Sequence, residues 1–447
     1  MRVHEFVDEG LGHSSYLVDL GDGSAALVDP PRLPAAQELL AERLGLRLAW
    51  TIDTHSHADY VTGSPGLAQR RHVEFLAPAA SRLATSHRPL SDGDQVDLAE
   101  GVVLVAVATP GHTPDHHAYV VSEHGRPVAL FSGGSLMVGT VGRTELCGPD
   151  LAESLAHEMF RVLRRFDRLP DDLAVYPTHG AGSFCSAPGS ANRTSTLGDE
   201  RHTNALFRMT DEDEFVTRLL AGFGTFPTYF ARLPELNRRG PSSYDALPTL
   251  PELTPADVEA MLASGTVVID TRTIQRFSAG HLPGSISNVL RPVFATWVGW
   301  LIPPDRQIVF VIDDDQPRDE VVRQCLDIGQ ENLAGVLTGG VEAWAASGRE
   351  TRQIPLVGPT SVRDDLVDVR QANEFAAGHV PGAVNVELGA ISTTPAPPTP
   401  VTVMCGHGER AMTGASLLTS SGVDVDVLDG GPDTWSAATG LALQTRG

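Results

Sequence analysis

The chain has 447 residues, with 56 Asp and Glu against 33 Lys and Arg and a formal charge of -23. That charge repels phosphate backbones and anionic lipid, so neither nucleic acid nor a membrane is an expected partner. The length suits about three domains. The absence of a basic-then-apolar start or a spanning apolar run predicts a cytoplasmic protein, and four scattered cysteines without CxxC spacing argue against a disulfide framework.

In chain order, short β-rich runs at 48–54, 102–109, 128–132 and 173–177 each lead into a polar or glycine-containing loop. These loops carry His55 and His57, His112, Gly133 with Gly134, and His179. Strands lying side by side would bring them to one edge of a rigid scaffold. The first loop reads THSHADY, where two histidines one residue apart and Asp59 suit a metal, but Tyr60 stands where a further histidine is expected. Cys185, after GAGSF, is expected to be structural, with its nearness to His179 making it a minor ligand candidate; Cys147 and Cys325 carry no constellation.

Proline, glycine and serine concentrate in PELNRRGPSSYDALPTLPELTP, which predicts a linker at 236–252 after a first domain at 1–235. Beyond it the chain repeats: VVIDTRTIQRFSAGHLPGSISNV is echoed by LVDVRQANEFAAGHVPGAVNVEL, and GGVEAWAASG by GGPDTWSAATG. Two copies of a small α/β domain are expected, at 253–353 and 354–447, with alternating strands and helices that predict parallel sheets.

In the second copy VTVMC runs into GHGER and then into a helix-like segment. Cys405 thus sits at a strand-to-helix turn, where unpaired amides and the positive helix end favour a thiolate or persulfide anion. The plain alternative is a buried small apolar residue. Arg410 closes the loop. Glu409 disfavours a dianion such as thiosulfate relative to a persulfide, and a protonated His407 would offset it. The first copy has IVFVI followed by DDDQPRDE, so an acidic run headed by Asp313 stands where a nucleophile would be needed. That copy is expected to be catalytically silent.

CGHGER, with GHVPGAVN and GGPDTW, resembles the active-site loop and flanking landmarks of rhodanese sulfurtransferases, over 253–447 as two tandem domains. Four residues between Cys405 and Arg410, rather than the five of cysteine-dependent phosphatases, suit sulfur. THSHAD, TPGHTPDH, FSGGSLMVGTVGRTEL and VYPTHGAGSFC resemble the metallo-β-lactamase fold, and within it the persulfide dioxygenases, over about 1–235. The fold class this implies is an α/β and α+β multidomain chain: an αββα sandwich with a metal at its loop edge, then two small α/β rhodanese domains with parallel sheets.

Carried over residue by residue, the resemblance implies metal ligands at His55, His57 and His112, with Asp59 and His179 as further ones. Gly134 stands in place of the aspartate that bridges metals or binds iron, and Thr140 where an aspartate is common. Two readings stay open: one Fe(II) or Zn(II) held on three histidines, or histidines kept as satisfied core or solvent-edge side chains in a domain retained for its shape; a binuclear metallo-hydrolase is not expected. RTSTLGDERHTNALF and FGTFPTYFARLPELNRRG resemble the region with which the dioxygenases bind a thiol-linked substrate, and equally suit helix surface and linker packing.

The resulting expectation is a sulfurtransferase in which Cys405 carries a persulfide, stabilised by Arg410 and the loop Gly406, His407, Gly408 and Glu409, with no cofactor needed for transfer. Its partners are a low-molecular-weight persulfide or thiosulfate donor and a thiol acceptor, with a protein acceptor and a homo-oligomer both compatible. The alternatives are an iron-dependent persulfide dioxygenase–rhodanese fusion with both activities, and a non-catalytic platform presenting Cys405 to a sulfur-accepting protein.

Overall fold

The computed structural model describes residues 1–185, 192–397 and 400–445. They fall into two compact units, Met1–Leu247 with Leu326–Gly329, and Pro248–Cys325 with Gln330–Gly447. Positions 446 and 447, which the sequence assigns to the second repeat, lie outside the described residues. No helix among the described residues is long and apolar enough to cross a membrane.

The N-terminal unit is built on two six-stranded sheets. In the first, β1 (Arg2–Asp8), β2 (His13–Asp19), β3 (Ser24–Val28), β4 (Arg47–Ile52), β5 (Glu74–Pro78) and β6 (Arg88–Leu90) neighbour one another in chain order. The second runs likewise through β7 (Gln95–Ala99), β8 (Val102–Ala108), β9 (His117–Glu123), β10 (Arg126–Gly133), β11 (Ala174–Pro177) and β12 (Ser195–Thr196).

Side chains alternate across each strand, and both faces are apolar. Tyr16, Val18, Ala26 and Val28 pack between the sheets against Leu104, Tyr119 and Phe131. The intervening Leu17, Ala25 and Leu27 face outward onto Ala41 and Leu67 of the helices Ala35–Arg43 and Ser64–Arg71. On the other sheet, Ala118, Val120 and Leu130 turn onto Met159, Leu163, Phe215 and Leu219 of the helices Pro149–Arg165 and Glu212–Ala221. The result is the four-layer αββα sandwich expected from the sequence. Each fully buried leucine or phenylalanine contributes roughly 1.5–3 kcal/mol.

The C-terminal unit contains two five-stranded parallel sheets of one topology. The first orders β13 (Glu252–Leu253), β14 (Val267–Asp270), β15 (Ile286–Ser287), β16 (Ile308–Val311) and β17 (Leu333–Leu337) as β13-β17-β16-β14-β15. The second orders β18 (Leu356–Val357), β19 (Leu366–Asp368), β20 (Val384–Asn385), β21 (Val401–Met404) and β22 (Val425–Leu428) as β18-β22-β21-β19-β20. The sequence repeat is visible in detail. Arg272 and Arg370 bind Asp270 and Asp368 two residues before them, and His281 and His379 stack on Phe277 and Phe375 at 3.9 and 3.8 Å. Both repeats therefore fold as rhodanese-like domains with parallel sheets.

Candidate active site and candidate metal centre

Cys405 follows β21 directly and is 1% exposed. The loop then turns through Gly408, at φ 104°, into the helix Glu409–Ser420. This left-handed turn is readily adopted by glycine, and it aims the Gly408 N–H at the sulfur, 3.1 Å from Cys405 Sγ. Gly431 lies behind the loop so closely that a Cβ there would fall 2.1 Å from the Gly406 carbonyl oxygen. His407 is exposed, while Gly406, Glu409 and Arg410 are half-buried.

Arg410 lies alongside the loop, where a Cβ on Gly406 would meet Nη2 at 3.7 Å. Its two terminal nitrogens donate to Glu374 at 2.6 and 2.7 Å. Glu374 in turn accepts from the Gln371 N–H at 3.1 Å and caps the helix Ala372–Ala377. Burial works against both charges, yet the pairing holds the Glu374 carboxyl below its ordinary range and raises the Arg410 guanidinium. Sequence reading missed Glu374, since nothing local in QANEF marks a partner 36 residues away.

The first repeat places its loop differently from the sequence expectation. Asp368 pairs with Met404 and Asp270 with Val311, so the residue in register with Cys405 is Ile312, and Asp313 is the next one along. The buried, apolar Ile312 extends the pattern of β16 by one residue, and the loop after it is longer, its helix beginning at Arg318 against Glu409 in the second repeat. Gln316 closes this loop from within: its Oε1 accepts from the Asp313 N–H at 3.0 Å and from Thr271 Oγ1 at 2.8 Å. No thiol occurs there. Arg276 pairs with Asp313 at 2.6 Å.

In the N-terminal unit, His55, His57, Asp59, His112 and His179 are all buried and lie together. Hydrogen bonds fix which nitrogens are free. Asp29 accepts from the Thr54 N–H at 2.7 Å, from Thr54 Oγ1 at 2.8 Å and from His57 Nε2 at 3.2 Å, and also from Thr178 Oγ1. Because Thr54 spends its proton on Asp29, its oxygen accepts from His55 Nδ1 at 2.8 Å. His112 Nδ1 donates to the Arg143 carbonyl at 2.8 Å. The lone pairs left are therefore on His55 Nε2, His57 Nδ1 and His112 Nε2.

His179 joins this set, its Nε2 lying 3.3 Å from His55 Nε2. Its Nδ1 is 3.2 Å from Asp59 Oδ2 without hydrogen-bonding geometry. His57 Nδ1, His112 Nε2, His179 Nδ1 and both Asp59 oxygens have no hydrogen-bond partner among the described residues. Buried polar atoms left this way are costly, and a cation among them would satisfy several at once. The group therefore fits a metal ion. Burial, reinforced by neighbouring imidazoles, keeps His55 well below its ordinary pKa and pushes His112 down to about 3, so these two rings are neutral and able to ligate.

Cys185 lies with His112 and His179, their ligand atoms within 4.8 Å of one another, so the thiol is closer to the centre than its loop suggested. Tyr60 stacks on His57 at 4.4 Å and donates to the Asp29 carbonyl at 3.2 Å. At Gly134 the His112 ring fills the space of a side chain: a Cβ there would lie 2.4 Å from His112 Cδ2. Asp29 and Thr54 were missed from sequence because their role rests on contacts between strands.

The family model of the metallo-beta-lactamase superfamily matches residues 8–179, and that of the rhodanese-like domain matches 254–347 and 358–438. A Burkholderia pseudomallei protein named "probable metallo-hydrolase" is 30% identical over 274 residues, covering 53% of this chain and 91% of its own. The human mitochondrial persulfide dioxygenase ETHE1 is 32% identical over 209 residues, 45% of this chain and 74% of its own. Among solved structures, a metallo-beta-lactamase from Staphylococcus aureus subsp. aureus COL aligns with a TM-score of 0.67 and 26% identity, covering 75% of this chain and 98% of that one. The chain belongs to the metallo-beta-lactamase superfamily, with an ETHE1-like N-terminal domain joined to two rhodanese-like domains.

Proposed function

We propose that this protein is a sulfurtransferase of sulfane-sulfur metabolism that works through a persulfide on Cys405. The observation that carries the reading is the loop amide of Gly408 donating to Cys405 Sγ at 3.1 Å, at the head of a twelve-residue helix. An amide so placed stabilises negative charge on sulfur. The Cys405 thiolate attacks the outer sulfur of thiosulfate or of a low-molecular-weight persulfide. The donor S–S bond breaks, and sulfite or a thiolate leaves with the electron pair. An acceptor thiolate then attacks the terminal sulfur of the Cys405 persulfide and expels the thiolate, with no net oxidation.

The N-terminal residues that would hold a metal are His55, His57 and His112, with His179 and Asp59 beside them. Bound there, Fe(II) would supply redox chemistry and Zn(II) Lewis acidity. The similarity to a relative named persulfide dioxygenase favours a substrate of the same sulfur class for this domain.

Steady-state transfer from thiosulfate to a thiol tests the main reading. Cys405→Ser should lose activity by at least about a thousandfold, as expected for removal of a covalent nucleophile, while Cys147→Ser and Cys325→Ser keep it. Full turnover in Cys405→Ser would end the proposal. A second reading, persulfide oxidation by O2, is favoured by the similarity to the relative named persulfide dioxygenase, together with the buried atoms around His112 that have no hydrogen-bond partner among the described residues. Persulfide-dependent oxygen uptake that disappears in His112→Ala supports it; iron-loaded protein without uptake excludes it.

A further inference from the structure

The two repeats meet at the helix that follows the Cys405 loop. Ser287, at the end of β15 in the first repeat, donates its N–H to Ser416 Oγ at 3.2 Å, on the helix that begins at the Cys405 loop. Ile274 of the same repeat also reaches this loop: a Cβ on Gly408 would lie 2.7 Å from Ile274 Cδ1. The chain leaving Ser287 thus starts beside the helix that the Cys405 loop leads into, and four residues on it carries Arg291, on which the charges of Glu409 and Cys405 act.

The Arg291 backbone is well anchored, its carbonyl accepting from Gln324 Nε2 at 3.2 Å and from the Phe294 N–H at 2.9 Å. Its side chain is not. Nε is buried without a hydrogen-bond partner among the described residues. Burial lowers its pKa; the charges acting on it are Glu409 and Cys405, which raise it, and Arg410, which lowers it. Arg410 is already neutralised by its two bonds to Glu374, so Arg291 is the cation near the sulfur with hydrogen-bonding capacity in reserve.

The other repeat carries no charge at the equivalent position. With His281 matched to His379, Arg291 corresponds to Gly389 of the second repeat. There a Cβ would fall 2.2 Å from the Trp300 indole, so the same position is closed by an aromatic ring. The charge is present only in the repeat that faces a cysteine.

We propose that Arg291 of the silent repeat binds the anionic sulfur donor at the Cys405 loop and takes up charge on the departing sulfite, completing the site across the two repeats. This rests on the sulfurtransferase reading and gives the first repeat a function in substrate binding. A guanidinium offers two directed N–H groups to an oxyanion, a geometry an ammonium does not reproduce.

The test is thiosulfate-to-thiol transfer by the full chain, comparing wild type with Arg291→Gln, Arg291→Lys and Cys405→Ser. Wild-type turnover absent from Cys405→Ser establishes the underlying reading separately; failure of that comparison removes the reading itself. Given it, Arg291→Gln is expected to raise KM for thiosulfate about tenfold or more, the scale of a lost charge-assisted hydrogen bond, with kcat changed far less and the thermal midpoint unchanged. Arg291→Lys should recover part of the loss. A purely structural arginine would lower kcat and the midpoint together without rescue by lysine. That result, or a KM within twofold of wild type in Arg291→Gln, overturns the proposal.

Discussion

Arg410 presents Nη1 to Glu374 Oε2 at 2.6 Å and Nη2 to Glu374 Oε1 at 2.7 Å, so the arginine that closes the cysteine loop is charge-compensated before any substrate arrives. The loop therefore holds its arginine as a frame more than as a free anion receptor.

Removing the compensation should favour dianionic donors. Glu374→Gln keeps an oxygen to cap Gln371 and frees the Arg410 charge, so KM for thiosulfate should fall about two- to fivefold, the range of a partly exposed ion pair. Since the Glu374 pKa is depressed, its stabilising contribution is present above the ordinary glutamate value and lost as pH falls through the lower folded value. Wild-type stability should thus show an acid loss below about pH 4.5 that is smaller in Glu374→Gln. Equal KM values and equal acid melting curves would contradict this.

Asp29 orders two of the imidazoles at once, His57 directly and His55 through Thr54. Asp29→Asn should therefore weaken metal binding about 10–100-fold, as for other carboxylates that orient histidine ligands. Zinc titration against a competing chelator reads this. Chelation of wild type should lower the melting of the N-terminal unit by mass action and leave transfer at Cys405 unchanged.

Restoring the family carboxylate should not restore its site. In Gly134→Asp the new side chain meets the His112 ring, whose Cδ2 a Cβ already approaches to 2.4 Å. Overpacking of this kind costs roughly 1–3 kcal/mol. We expect a melting temperature several degrees lower and no gain in bound iron, measured by calorimetry and elemental analysis. A stable variant with more iron would show that His112 is free to move.

What could be read from sequence was local. The turn after VTVMC, the repeated GH-P-G segments and the three histidine loops each announce themselves within a few residues, and the αββα layering was implied by the family resemblance that those loops carry. Pairings across distance could not be read. Glu374, Asp29 and Arg291 are unremarkable in their own segments and acquire meaning only where parallel strands or facing repeats bring them to a site. The register of Ile312 was hidden because this apolar, buried residue reads as one more position of the strand IVFV. Gly134 was legible as a missing ligand, but not the His112 ring that occupies its place.

The most direct test of the account is mass analysis of the cysteine-containing peptides after the protein is exposed to thiosulfate or a low-molecular-weight persulfide. The account predicts one added sulfur atom on the peptide with Cys405, removed by a thiol acceptor. Sulfur stably carried on Cys147, Cys185 or Cys325 instead, or no added sulfur at Cys405, would contradict it.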